Sequence, residues 1–112
     1  MTQQITIKRN DRRPYIEASF TNPDGQPLNL TTATSITFTM SPQGTDTTPL
    51  INAQPAIITN ATQGLAEYRW AAGNTATAGK FYAEFTITWP DGSTETHPTS
   101  GYLLVHITRD LT

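Results

Sequence analysis

A chain of 112 residues with 14% charged residues and a formal net charge of −2 has the size of one domain. Such sparse, nearly balanced charge excludes a strongly basic nucleic-acid binder and an acidic disordered tail. Cysteine is absent, which removes disulfides, thiolate metal sites and thiol catalysis together and favours folding in a reducing compartment. Threonine occurs 22 times. Stiff β-branched side chains pack well on a pleated surface and lose rotamer freedom in a helix, so the composition leans toward sheet.

Taken in chain order, short alternating runs are separated by turn chemistry. The N-terminal Met1-Thr2-Gln3-Gln4-Ile5 lacks the apolar core of a signal peptide. No apolar run approaches the roughly 18–20 residues of a membrane helix. The expectation is a soluble chain made in the cytoplasm, with no membrane partner. Ile5-Thr6-Ile7 alternates, and residues 14–20 place Ile16, Ala18 and Phe20 on one face. Asn22-Pro23-Asp24-Gly25 is a turn in which proline presets φ and glycine accepts φ > 0. In the next run Ile36, Phe38 and Met40 share one face, the period-two signature of a half-buried strand.

Residues 41–49 hold two prolines, a glycine and no apolar residue, which predicts an exposed loop. Ile51 and Ala56-Ile57-Ile58 give one or two short strands of open register. Beyond the Gln63-Gly64 turn, Ala66, Tyr68 and Trp70 face one way. Residues 71–79 are small and polar, with room for one helical turn. Phe81, Ala83, Phe85, Ile87 and Trp89 then form the clearest alternation in the chain. Pro90-Asp91-Gly92 turns back into a hairpin over residues 93–96, and the run resumes with Leu103, Val105 and Ile107 inward. Short strands at this spacing, without an amphipathic helix or an internal linker, predict one all-β domain over residues 1–112, a sandwich or small barrel.

Little in the sequence carries catalysis. His97 and His106 stand outside any metal-ligand spacing, the glycines are too scattered for a phosphate loop, and Asp24 and Asp91 are accounted for by turns. Glu17, Glu67 and Glu84 alternate with apolar neighbours as solvent-facing residues do. The reading is of no catalytic residue, no metal site and no cofactor.

Two surfaces stand out for partner binding. Lys8, Arg9, Arg12 and Arg13 are four of the seven cations and fall within six positions. They read as a solvated loop, or as a contact patch for acidic protein surface, since arginine's planar fork suits carboxylates. Nucleic acid fits poorly because no aromatic residues interleave with the charges. The second surface is the outward parity of the last strands, where Tyr82, Tyr102 and Leu104 join Thr86, Thr88 and His106. Exposed tyrosine and leucine together are what protein-binding faces use. Trp70, Trp89 and the phenylalanines share strand faces with other apolar residues, so core packing is favoured over a carbohydrate-stacking platform.

The spacing of several motifs points to a family. These are Asn10-Asp11 with Pro14-Tyr15-Ile16, then Pro23-Asp24-Gly25-Gln26-Pro27-Leu28-Asn29-Leu30, and Gln63-Gly64-Leu65-Ala66-Glu67-Tyr68-Arg69-Trp70. Ala78-Gly79-Lys80-Phe81-Tyr82-Ala83-Glu84-Phe85 and the terminal run 103–107 complete the set. Together they resemble the N-terminal domain of the tailed-phage baseplate upper protein family. The resemblance implies an immunoglobulin-like β-sandwich of seven to eight short antiparallel strands. It also implies a non-enzymatic virion structural protein, a tail or baseplate adaptor. Its expected partners are other virion structural proteins, met in multiple copies on a symmetric assembly, without nucleic acid. A capsid decoration protein is the alternative, and a carbohydrate-binding module a more distant one. Larger family members continue into a stalk and attachment region, so a chain ending at Thr112 is not expected to present a distal fibre. Phe81 stands where many immunoglobulin-like domains carry a corner tyrosine, which puts that hydrogen bond in doubt.

Overall fold

The computed structural model describes residues 4–43, 48–98 and 102–111. Nine strands run in the order β1 (Gln4–Lys8), β2 (Ile16–Ser19), β3 (Ser35–Pro42), β4 (Ile51–Pro55), β5 (Ile57–Asn60), β6 (Leu65–Tyr68), β7 (Gly79–Thr88), β8 (Thr94–His97) and β9 (Leu103–Thr108). One sheet has the order β1-β9-β7-β3-β4, and β8 also pairs with β7; the other has the order β2-β6-β5. Because β3 lines one whole edge of β7, β9 and β8 divide the opposite edge between them. Among the described residues no helix is long and apolar enough to cross a membrane.

The expected count of seven to eight strands, all antiparallel, is corrected in two ways. The run over 51–60 is shared between the sheets, with β4 on β3 and β5 on β6, and the Ala56 amide donates to the Ile36 carbonyl at the crossing. The first strand lies parallel to the last, Ile5 opposite Val105 and Ile7 opposite Ile107. Alternation sets which face a residue takes but carries no information about strand direction. Residues 41–49 also depart from the expected loop. Ser41 and Pro42 continue β3 opposite Tyr82 and Phe81, while 44–47 fall outside the described residues. Within the expected 71–79 segment, residues 72–75 form a turn rather than a helical turn, and Gly79 already begins β7.

The core follows parity closely. Ile36, Phe38 and Met40 of β3 and Phe81, Ala83, Phe85 and Ile87 of β7 are buried, as are Ile16, Phe20, Tyr68, Trp70, Val105 and Ile107. Phe38 sits at the centre. Its ring stacks on Tyr68 of the opposite sheet at 4.4 Å and 14°, and meets Phe85 at 5.1 Å and the edge of Trp70 at 6.2 Å. Trp89 departs from the expected alternation: β7 ends at Thr88, and the half-buried indole donates its N–H to Glu95 at 2.9 Å. Leu103, expected inward, is only partly buried against the core.

Gly64 fixes how the β5–β6 turn meets the β2–β3 connection. Its φ is +68°, and a Cβ there would lie 2.6 Å from the Phe20 carbonyl oxygen and 2.7 Å from that of Leu28. The Phe20 amide donates to the Gly64 carbonyl at 2.9 Å, so the two segments cannot separate without losing that bond.

Two outcomes follow for stability. Phe38→Ala empties a fully enclosed aromatic site and should cost about 3–5 kcal/mol, a large share of the roughly 5–15 kcal/mol a domain holds. Gly64→Ala meets backbone on two sides, whereas Gly92→Ala, at φ +88°, meets open space. Thermal melts of the two glycine variants should show the larger loss at Gly64, since both carry dihedral strain but only one carries a clash.

Candidate protein-docking surfaces

The basic segment forms one end of the sandwich, where β1 and β9 finish, β2 begins, β6 finishes and β7 starts. Three side chains bind it down. Tyr68 donates its hydroxyl hydrogen to the Asn74 side-chain oxygen at 2.6 Å, and the same oxygen accepts the Ala71 amide at 2.7 Å. Burial raises the Tyr68 phenol above its ordinary pKa, which keeps it a donor. The buried Thr75 hydroxyl donates to the Asp11 carbonyl at 2.7 Å, and the Asn10 amide to the Thr75 carbonyl at 2.9 Å. The Trp70 indole donates to the Pro14 carbonyl at 3.0 Å.

The four expected cations divide by role. Arg9 is half-buried and pairs with Asp110 at 2.9 Å. Arg12 donates its Nε hydrogen to the Trp70 carbonyl at 3.1 Å, so it helps hold the corner while remaining charged. Lys8 and Arg13 are exposed, and the Arg13 guanidinium lies 5.8 Å from the Tyr15 ring centre. The fold adds three cations from elsewhere in the chain. Arg69, next to the end of β6, stacks over the other approach to Tyr15 at 5.3 Å and pairs with Glu67. Lys80, second in β7, lies opposite His106, and Arg109 directly follows β9. All seven lysines and arginines therefore gather at one end, and residues 14–68 and 81–108 contain none. Sequence reasoning found four of them. The other three could have been found from strand order, because each flanks a strand end that must meet the same rim.

The outward face is also assembled as expected in part. Leu104 lies between Gln4 and Tyr82 across the sheet, with Ser41 beyond. Tyr82 and Tyr102 meet at 4.8 Å between ring centres, tilted by 30°. Tyr102 is 48% exposed, whereas Tyr82 and Leu104 are half-buried. Further along this face the residues are Thr37, Thr86 and Thr96 in one row and Ser35, Thr88 and Thr94 in the next. The patch is small and tyrosine-centred, with a hydroxyl-rich surround.

A cleft of about 540 Å³ lies between β2 and β8. Phe20, Phe85 and Leu103 supply apolar wall, and Glu17, Glu95 and His97 supply polar groups. Glu95 accepts the Trp89 indole hydrogen and stands 3.2 Å from His97, whose ring packs on Phe20 at 5.0 Å. Neither residue was assigned a role from sequence. Parity could not bring β2 of one sheet beside β8 of the other. Among the described residues no three metal-ligating side chains gather.

These features define an all-β domain with two packed sheets, one cationic end and one tyrosine-centred patch. The chain belongs to the family of the BppU N-terminal domain, the baseplate upper protein N-terminal domain, whose model matches residues 1–100. A comparison with curated proteins gives no match. The membership supports a phage baseplate structural protein, a class that works by contact with other virion proteins.

The split among the cations can be measured. Lys8→Glu with Arg13→Glu should leave the melting transition within about 1 kcal/mol of the unaltered chain, as for exposed changes. Arg12→Ala should cost about 1 kcal/mol, because the Trp70 carbonyl loses its donor. Equal effects from both would mean the corner does not depend on Arg12.

Proposed function

We propose that this chain is a non-enzymatic docking module of a tailed-phage virion, set among neighbouring proteins of the tail or baseplate in several symmetric copies. The observation that carries the reading is the family match over residues 1–100. The strand order supports an immunoglobulin-like sandwich in particular. With β2, β6 and β5 read as strands B, E and D, the opposite sheet reads G, F, C and C′ from β9 to β4. The first strand then lies beside the last, as an A′ strand beside G.

The docking surfaces in this reading are the cationic end and the Tyr82–Tyr102–Leu104 patch. Lys8, Arg13, Lys80 and Arg109 can engage a partner without unfolding anything, since Arg9 and Arg12 hold the corner. A stacking platform for carbohydrate is disfavoured: Trp70 is 2% exposed and Trp89 is tied to Glu95. Each surface alone is modest against the roughly 800 Å² per partner of a stable interface. Many copies on one scaffold compensate, because linked contacts raise effective affinity.

Particle assembly with variant chains tests the reading. Tyr102→Lys should melt like the unaltered chain and be depleted from purified particles. The Lys8→Glu, Arg13→Glu double variant should be depleted too, more so at low salt. Full occupancy of both variants at every salt concentration would remove these surfaces from the docking role.

A further inference from the structure

The gathering of all seven lysines and arginines at one end leaves the other end of the sandwich with carboxylates and, in its cleft, His97. Asp24 lies in the turn after β2, Asp91 in the turn between β7 and β8, and Glu95 in β8. Glu17 also lines the cleft that Glu95 lines, but from the start of β2, opposite Glu67 and toward the cationic end. No lysine or arginine occurs in any segment that builds this end. The carboxylates are also locked in place. Asp24 accepts the Gln26 amide at 3.0 Å, and Asp91 accepts both the hydroxyl and the amide of Ser93. Those two bonds hold the Asp91 carboxyl below its ordinary pKa, so it stays charged at acidity that neutralises a free aspartate.

The cleft gives the acidic end a shape as well as a sign. Its apolar wall of Phe20, Phe85 and Leu103 suits the methylene stem of an arginine, and Glu95 supplies a carboxylate in the lining for the guanidinium. The opposite end offers such a side chain: Arg13 is exposed, on a segment pinned by Arg12 and Thr75. Two ends of one molecule thus carry complementary charge, one with an exposed arginine and one with a recess.

From this geometry we infer that copies of this chain dock head to tail, the cationic end of one seated on the acidic cleft end of the next. The inference rests on reading the cationic end as a docking surface and names its occupant: a second copy of this chain. Such a contact uses two different patches, so it propagates, closing into a ring or running open according to the angle between copies. The molecule measures 44 × 28 × 25 Å, so an end-on contact is narrow. Exposed charges are screened within about 8 Å at 0.15 M salt, so the association belongs to low salt or to copies already held on a scaffold.

Sedimentation velocity of the full chain, at high protein concentration in low and high salt, tests this. The unaltered chain should form a series of oligomers at low salt that collapses to monomer at high salt. Lys8→Glu with Arg13→Glu spoils the cationic end, and Asp24→Asn with Asp91→Asn neutralises the acidic end while keeping a side-chain acceptor in each turn. Each double variant alone should remain monomeric. Mixed in equal amounts, they should form a one-to-one dimer and nothing larger, because one sound end of each kind remains. An unaltered chain that is monomeric at low salt, oligomers formed by either variant alone, or a mixture that stays monomeric would each overturn the inference. If the unaltered chain is monomeric yet the Lys8→Glu, Arg13→Glu variant is lost from particles, the docking role survives and its occupant is another protein. Retardation of duplex DNA by the monomeric chain, abolished in that variant, would assign the end to phosphate and equally overturn the head-to-tail contact.

Discussion

The stack of Phe38 on Tyr68 is the contact on which the rest depends. Phe38 belongs to β3 of the larger sheet, between β7 and β4, and Tyr68 to the centre strand of the smaller one, so their 4.4 Å separation sets the distance between the layers. Trp70 then meets Phe38 edge to face, an arrangement aromatic quadrupoles prefer, and Phe85 lies tilted against it at 60°. Tyr68 has a second task. Its hydroxyl leaves the core and reaches Asn74, which ties the turn between β6 and β7 to the stacked ring. A single side chain thereby couples sheet spacing to the geometry of one end.

That coupling explains why the cationic end is ordered rather than a loose charged loop. Asn74 holds Ala71, Thr75 holds Asp11, and Arg12 holds Trp70, so the segment from Lys8 to Arg13 is fastened from the core outward. Seven cations at one end repel each other, and two carboxylate pairs, Arg9 with Asp110 and Arg69 with Glu67, offset part of that repulsion. Exposed pairs contribute little individually. The part-buried hydrogen bonds to the Asp11, Pro14 and Trp70 carbonyls are what keep the end in shape.

Much of the fold was legible because alternation is a direct record of burial. Phe81 to Ile87 read inward at every second residue, and the structure buries each of them. The turns at Asp24 and Asp91 were equally plain, since their side chains bond the amide two residues on. Trp89 packs partly against the core as expected, but it falls outside the strand alternation because a strand's end is set by the turn that follows it, and the bond to Glu95 lies across that turn. The parallel β1–β9 pair and the split between β4 and β5 depend on which strands become neighbours, and no local pattern records that. The same limit hid Arg69, Lys80 and Arg109. Each is an isolated cation in sequence, and only the strand order brings them to one rim.

The two surfaces also differ in what a partner could do with them. The tyrosine patch stands on the flat of a sheet whose strands are paired along their length, so it can offer contact but little movement. The cationic end is made of turns held by a few hydrogen bonds, where Lys8 and Arg13 are exposed beside Arg9 and Arg12, which are engaged. Charge there steers an approaching partner over a range set by salt, and the fastened corner fixes where the side chains meet it. In the docking role proposed for this chain, orientation and attachment are divided between two kinds of surface: long-range charge selects which end leads, and short-range apolar contact at Tyr102 holds the module once it has arrived.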